Sequence, residues 1–137
     1  EQLAVEIVGL CREYGECRVE VERMEEARRV KNALESVCAM ARQRLDISDP
    51  ALLLALLDAC EVTRDEGMLQ EVLDVVGRNL DRLAVSAESV KLLACCYYYV
   101  EEEECVERAG RMLEELRKMG RGEEELADVE TILEELT

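Results

Sequence analysis

Histidine, tryptophan and phenylalanine are absent from this chain, and proline occurs once, at Pro50. Without imidazole the commonest general base is missing, as are the usual partner that turns a cysteine into a thiolate and the means of completing a mixed Cys/His zinc site. Every His-dependent catalytic or metal site is thereby excluded. One Pro and seven Gly are too few for a loop-rich or all-β chain. Four tyrosines are the only aromatics. Long apolar runs are missing as well. The longest, 51–57 and 90–100 with Lys91 inside it, fall short of the roughly 20 residues that a spanning helix needs, so no membrane insertion is expected. There is no CxxC pair, no GxSxG and no Gly-rich phosphate loop. The chain opens at Glu1 without Met and reads as a fragment or a processed form, so a missing leader says nothing about localisation.

What is present is charge and aliphatic surface. Hydrophobic residues make up 49% and charged residues 36%, which excludes a disordered chain. Net charge is −16, and it accumulates toward the C-terminus. Residues 1–46 carry ten acids against eight bases, residues 47–100 nine against four, and residues 101–137 fourteen against five. Such a surface repels phosphates, which disfavours RNA and anionic membranes as partners. The seven cysteines (Cys11, Cys17, Cys38, Cys60, Cys95, Cys96 and Cys105) are odd in number and sit mostly among apolar residues. They read as reduced core thiols in an intracellular reducing compartment such as cytosol, nucleus or mitochondrial matrix.

The apolar periodicity is helical throughout and predicts about seven helices. The first spans about 2–14, with Gly15 as its stop. The second is a long amphipathic helix from Cys17 or Val19 to Leu45, or two helices with a bend that the sequence does not mark, with Val21, Met24, Ala27, Val30 and Leu34 opening its stripe. Asp49-Pro50 starts a third helix, 50–62, apolar on most sides, because Pro lacks the N–H that would be orphaned at that position. A fourth is expected over 68–83. Ser86 caps a fifth, 87–100. A sixth over 105–119 is stopped by Gly120-Arg121-Gly122, and a seventh is opened by Glu123–Glu125, acids suited to a helix N-terminus. Sliding 34–62 by 38 positions places Leu34 on Val72, Ile47 on Val85, Ser48 on Ser86 and Val62 on Val100. A period of that length with two helices per unit predicts an all-α chain. It would be a short α-solenoid of antiparallel helical hairpins forming a single domain over 1–137, with an N-terminal helix 2–14 and units at about 30–67, 68–104 and 105–137. A bundle of regular helices is the alternative.

The stretch Ser48-Asp49-Pro50-Ala51-Leu52-Leu53-Leu54-Ala55-Leu56-Leu57-Asp58-Ala59-Cys60, followed by a turn and an amphipathic helix, resembles heptatricopeptide-type organellar helical repeats. It is also similar to the pentatricopeptide arrays. The resemblance covers about 30–119. It implies a mitochondrial or plastid protein that acts on RNA or sits in a ribonucleoprotein. The acidity and the elongated second helix depart from the family.

Three features invite a functional reading. Tyr97, Tyr98 and Tyr99 follow one another on a helix, where neighbours point about 100° apart, so they cannot all face one groove. They either fill the core edge or present at least one ring to a partner. Arg28, Lys31 and Arg42 fall near one helical face and would meet phosphate or an acidic partner. Interleaved Glu25, Glu26 and Glu35 offer intrahelical ion pairs instead. The runs Glu101–Glu104 and Glu123–Glu125 lack calcium-loop spacing and read as solvated. Gly77 and Gly110, inside helices, predict close helix–helix approach. The expectation is a non-catalytic scaffold or adaptor that binds proteins of a larger assembly, with no cofactor, metal or small-molecule substrate. The alternatives are an RNA-binding repeat protein and a compact bundle that regulates by taking up a partner helix.

Overall fold

A computed structural model describes residues 2–120 and 123–136, and the side chains of all of these except 123–126 and 136. Among the described residues there are seven α-helices and no strand: α1 Gln2–Cys17, α2 Met24–Arg42, α3 Pro50–Thr63, α4 Glu66–Arg78, α5 Ala87–Val100, α6 Glu103–Lys118 and α7 Glu123–Leu136. Short 3₁₀ turns occupy Val21–Arg23 and Leu80–Arg82. The chain divides into two compact units, one up to Val72 and one from Leu73 onward.

In the first unit α1 lies against both α2 and α3, and α2 also touches α3. Ile7, Leu34, Leu53 and Leu56 are fully enclosed, each contributing about 1.5–3 kcal/mol through the apolar surface it takes out of water. Gly15 does not end α1, which continues to Cys17 with Gly15 inside it. The long second helix is shorter than its apolar spacing predicts. The 3₁₀ turn at 21–23 has about three residues per turn and breaks the 3.6-residue stripe. Val21 and Met24 therefore sit 83% and 59% exposed, and burial begins at Ala27. Arg23 holds this start by donating from Nε to Glu26 Oε2 at 3.0 Å. Asp49 is the cap of α3, accepting from the Leu52 N–H at 3.2 Å, with Pro50 behind it. Such a cap is worth about 1 kcal/mol. Ser48 instead donates to Asp46.

In the second unit α5 lies against α6 and α7, which also touch each other. Ser86 caps α5, accepting from the Ser89 N–H at 3.1 Å and donating to the fully buried Ser89 hydroxyl at 3.0 Å. No buried side-chain polar atom among the described residues lacks a partner. α4 stops at Arg78 rather than 83, because Asn79 leaves helical geometry and its side chain donates back to the Val75 carbonyl at 2.7 Å. Gly120, at φ +68°, ends α6, its N–H donating to the Arg117 carbonyl. That is the left-handed role only glycine fills without strain. Arg121, Gly122 and the Glu123–Glu125 side chains lie outside the described set. Gly77 and Gly110 mark no close helix approach. A Cβ at either would meet nothing within 4 Å.

The internal repeat is real in local structure, with a period of 37 rather than 38. Pro50 and Ala87 open helices of equal length, Arg64 and Glu101 close them in the same left-handed conformation, and Glu66 and Glu103 open the next pair. Burial follows the same offset. Leu53, Ala55, Leu56, Leu57 and Ala59 correspond to Val90, Leu92, Leu93, Ala94 and Cys96, all buried. On the following helices Met68, Val72 and Val76 correspond to Cys105, Ala109 and Leu113. The 38-residue offset aligns apolar residues such as Leu34 with Val72 and Ile47 with Val85, one residue out of step with the helix starts. The connector after α4 is one residue longer than the one after α2.

Candidate functional site

Arg28, Lys31 and Arg42 all lie on α2, and their spacing does put them on one face. They do not form one site. Arg28 and Lys31 are one turn apart near the start, and Arg42 is about 21 Å along the axis from Arg28 and about 16 Å from Lys31 at 1.5 Å per residue. Arg28 is exposed and Lys31 half-buried, and neither pairs with a carboxylate among the described residues. Arg42 is engaged. Its Nε donates to Glu71 Oε2 at 3.1 Å, its Nη2 to Glu71 Oε1, and its Nη1 stands 3.7 Å from Asp65. The ion pair therefore runs from α2 to α4, and not within α2. A two-pronged guanidinium–carboxylate bond holds Glu71 below the usual carboxylate range.

On α5, Tyr98 is 72% exposed while Tyr97 and Tyr99 are half-buried. The rings of Tyr98 and Tyr99 meet edge to face, with centroids 5.3 Å apart and planes at 86°. Tyr98 is thus held by a neighbour and still open to a partner. Five of the other exposed large apolar side chains lie early in the chain, Val5 and Val8 one turn apart on α1 and Val19, Val21 and Met24 around the first 3₁₀ turn, while Met40, Val100 and Met119 are scattered.

Four of the buried thiols are held in the protonated form. Burial pushes Cys11 up to about 11, helped by the charge of Asp58, and Cys38 to about 11, helped by Asp65. Burial likewise raises Cys60 and Cys96 to about 12. A thiol raised this far is almost entirely protonated at neutral pH, and the thiolate is the nucleophile and metal ligand. Only Cys95 is partly exposed. Among the described residues no group of three His, Cys, Asp or Glu side chains is placed to hold a metal ion. Nor is any helix long and apolar enough to cross a membrane.

A second cationic concentration was not legible in the sequence. In the second unit the end of α4, the 3₁₀ turn Leu80–Arg82 and one face of α6 enclose an open groove of about 550 Å³. Arg78, Arg82, Arg108 and Arg111 line it, with Asp81, Glu104 and Glu107. Arg108 ties its walls together by donating from Nε to the Leu80 carbonyl and from Nη2 to the Leu83 carbonyl, both at 3.2 Å. Arg78 donates from Nε to the Asp74 carbonyl at 3.2 Å. None of the four stands within 4 Å of a described carboxylate. Only the i, i+3 spacing of Arg108 and Arg111 hinted at a shared face. The corresponding turn of the first unit forms a groove of about 490 Å³ with the opposite character, lined by Glu6, Asp46 and Asp49 with Arg44 as its lone base.

No protein-family model, no curated protein and no solved structure matches this chain.

Proposed function

We propose that this chain is a non-catalytic helical-repeat scaffold, an adaptor subunit whose exposed side chains hold other proteins in a larger assembly. The observation that supports the reading best is the 37-residue recurrence of helix length, left-handed cap and burial. Two-helix units of this kind bury their inner helices by stacking into an α-solenoid, and they use their outer faces and ends for binding. Val5, Val19, Val21 and Tyr98 supply apolar surface of the kind that anchors protein contacts. The sequence resemblance to organellar helical repeats makes a mitochondrial ribosome or RNA-processing complex the assembly in view, in a reducing compartment that suits seven free thiols.

The test is purification of the tagged full-length protein at moderate salt, with and without nuclease, followed by measurement of partner stoichiometry. A scaffold retains defined protein partners in fixed ratio after nuclease treatment, and substituting Tyr98, Val19 or Val21 by Asp releases them. A monomer with no stoichiometric partner sinks the reading. Partners lost on nuclease treatment point instead to RNA, with Arg28 and Lys31 as the free cations that would meet phosphate.

A further inference from the structure

We infer that the arginine groove of the second unit is a binding site for a phosphorylated side chain on a partner protein. The inference rests on the scaffold reading and names the chemistry of one partner contact. Residues 73–137 carry seventeen acids and eight bases, and four of those bases line this one groove. In a segment so acidic, scattered arginines would normally be consumed by neighbouring carboxylates. Here Asp81, Glu104 and Glu107 line the same groove without coming within 4 Å of a guanidinium.

The groove is also preformed. Arg108 fastens the turn to α6 through two carbonyls, and the Asp74 and Val75 carbonyls of α4 already accept from the Arg78 and Asn79 side chains. Two carbonyls near the negative end of that helix are therefore already met by side-chain donors. Among the described residues Arg82 and Arg111 make no hydrogen bond or ion pair, which leaves their donor sets open. Arg78 has only Nε engaged. Gly77 lies at the groove wall and presents no side chain there; the space at its Cβ position is open.

Three partly or wholly free guanidiniums outnumber what a single carboxylate can accept. A phosphomonoester carries close to two negative charges and three terminal oxygens, and planar guanidiniums bind such oxygens in pairs. A nucleic-acid backbone is the poorer match. It would run its successive phosphates past the three carboxylates of the groove and the acidic surface beyond it, whereas a single phosphate engages only the arginines.

The experiment follows backbone and arginine Nε–H NMR signals of the full chain during titration with acetyl-Gly-Gly-phosphoserine-Gly-Gly-amide. The unphosphorylated peptide, inorganic phosphate and an eight-nucleotide oligouridylate are titrated in parallel. The expected result is saturable shifts confined to Gly77–Arg82 and Glu104–Arg111 with the phosphopeptide, none with the serine peptide, and weaker binding of free phosphate. Arg82→Gln/Arg111→Gln alters two exposed, unpartnered side chains, so the fold survives, and it weakens binding ~10-fold or more. No saturable shift, or binding unchanged in the double variant, overturns the inference. Free phosphate binding as tightly as the peptide reassigns the groove to a small anion, and tighter binding of the oligouridylate reassigns it to nucleic acid. If partner proteins stay bound through phosphatase treatment while the peptide fails to bind, the groove assignment falls and the scaffold stands. If the peptide binds and no partner protein is retained, the reverse holds.

Discussion

Arg64 and Glu101 stand 37 residues apart and share a backbone conformation that neither residue type favours. Their φ,ψ angles are 60°,37° and 53°,29°. Each closes an apolar helix of the same length and hands the chain to an amphipathic one that begins two residues later. The left-handed turn reverses the chain in minimal length, and Glu101 secures it by donating its N–H to the Tyr97 carbonyl at 2.8 Å. A side chain with a Cβ is strained there.

Arg64→Gly and Glu101→Gly should therefore each stabilise the protein, by about 0.5–1 kcal/mol. Arg64→Val and Glu101→Val should do the opposite. Urea denaturation of the four variants checks this. A Gly variant less stable than the parent would mean that the left-handed caps are misassigned.

Gly9 and Gly110 make a matched prediction inside helices. A Cβ at either meets nothing within 4 Å, so Gly9→Ala and Gly110→Ala should raise stability by about 0.5–1 kcal/mol through restricted freedom in the unfolded chain. Thermal unfolding by circular dichroism should show higher midpoints. A drop would imply a close contact at that face.

The Arg42–Glu71 pair sets an acid limb. Glu71 is held below its ordinary value in the folded state, so its contribution is present above the unfolded carboxylate range and is lost as pH falls through the folded value. Both side chains are more than a third exposed or close to it, at 34% and 44%, so solvent screening holds the pair to about 0.5–1 kcal/mol. Glu71→Gln should lower stability at pH 7 by that amount and converge with the parent at low pH. Parallel stability–pH curves would show that the bond contributes nothing.

Thiols set the alkaline limb with the opposite sign. Cys11, Cys38, Cys60 and Cys96 titrate higher in the folded state than in the unfolded chain. Their contribution is complete below about pH 8.5 and is lost as pH rises toward 11–12, each thiol adding a slope of up to about 1.4 kcal/mol per pH unit. Unfolding free energy should fall steeply above pH 9. At pH 7 a thiol reagent should modify partly exposed Cys95 first and the six buried cysteines only on unfolding. Rapid modification of any buried cysteine in the native protein would contradict this burial.

The helices were legible because their causes are local. Pro50 behind Asp49, Ser86 three residues before the Ser89 N–H, and aliphatic residues three and four apart each act within one or two turns. α3 and α5 accordingly begin where the sequence predicts. The repeat was legible to within one residue. The miss came from apolar pairs such as Leu34 with Val72 and Ile47 with Val85, whose side-chain similarity does not fix where each helix starts. Val21 and Met24 misled for a related reason: periodicity assumes an unbroken helix, and the 3₁₀ turn rotates both into solvent.

Sequence alone determined that the protein is helical, which faces of α3, α5 and α6 are apolar, and that His-dependent chemistry is excluded, since these depend on composition and short-range spacing. Tertiary structure alone decided which charges are spent and which are free. Arg42 is neutralised by Glu71 from 29 residues away, and Arg78 and Arg82 share a groove with Arg108 and Arg111. A charge acts through distance in space, and chain folding brings the two segments together, which the spacing within either one does not reveal.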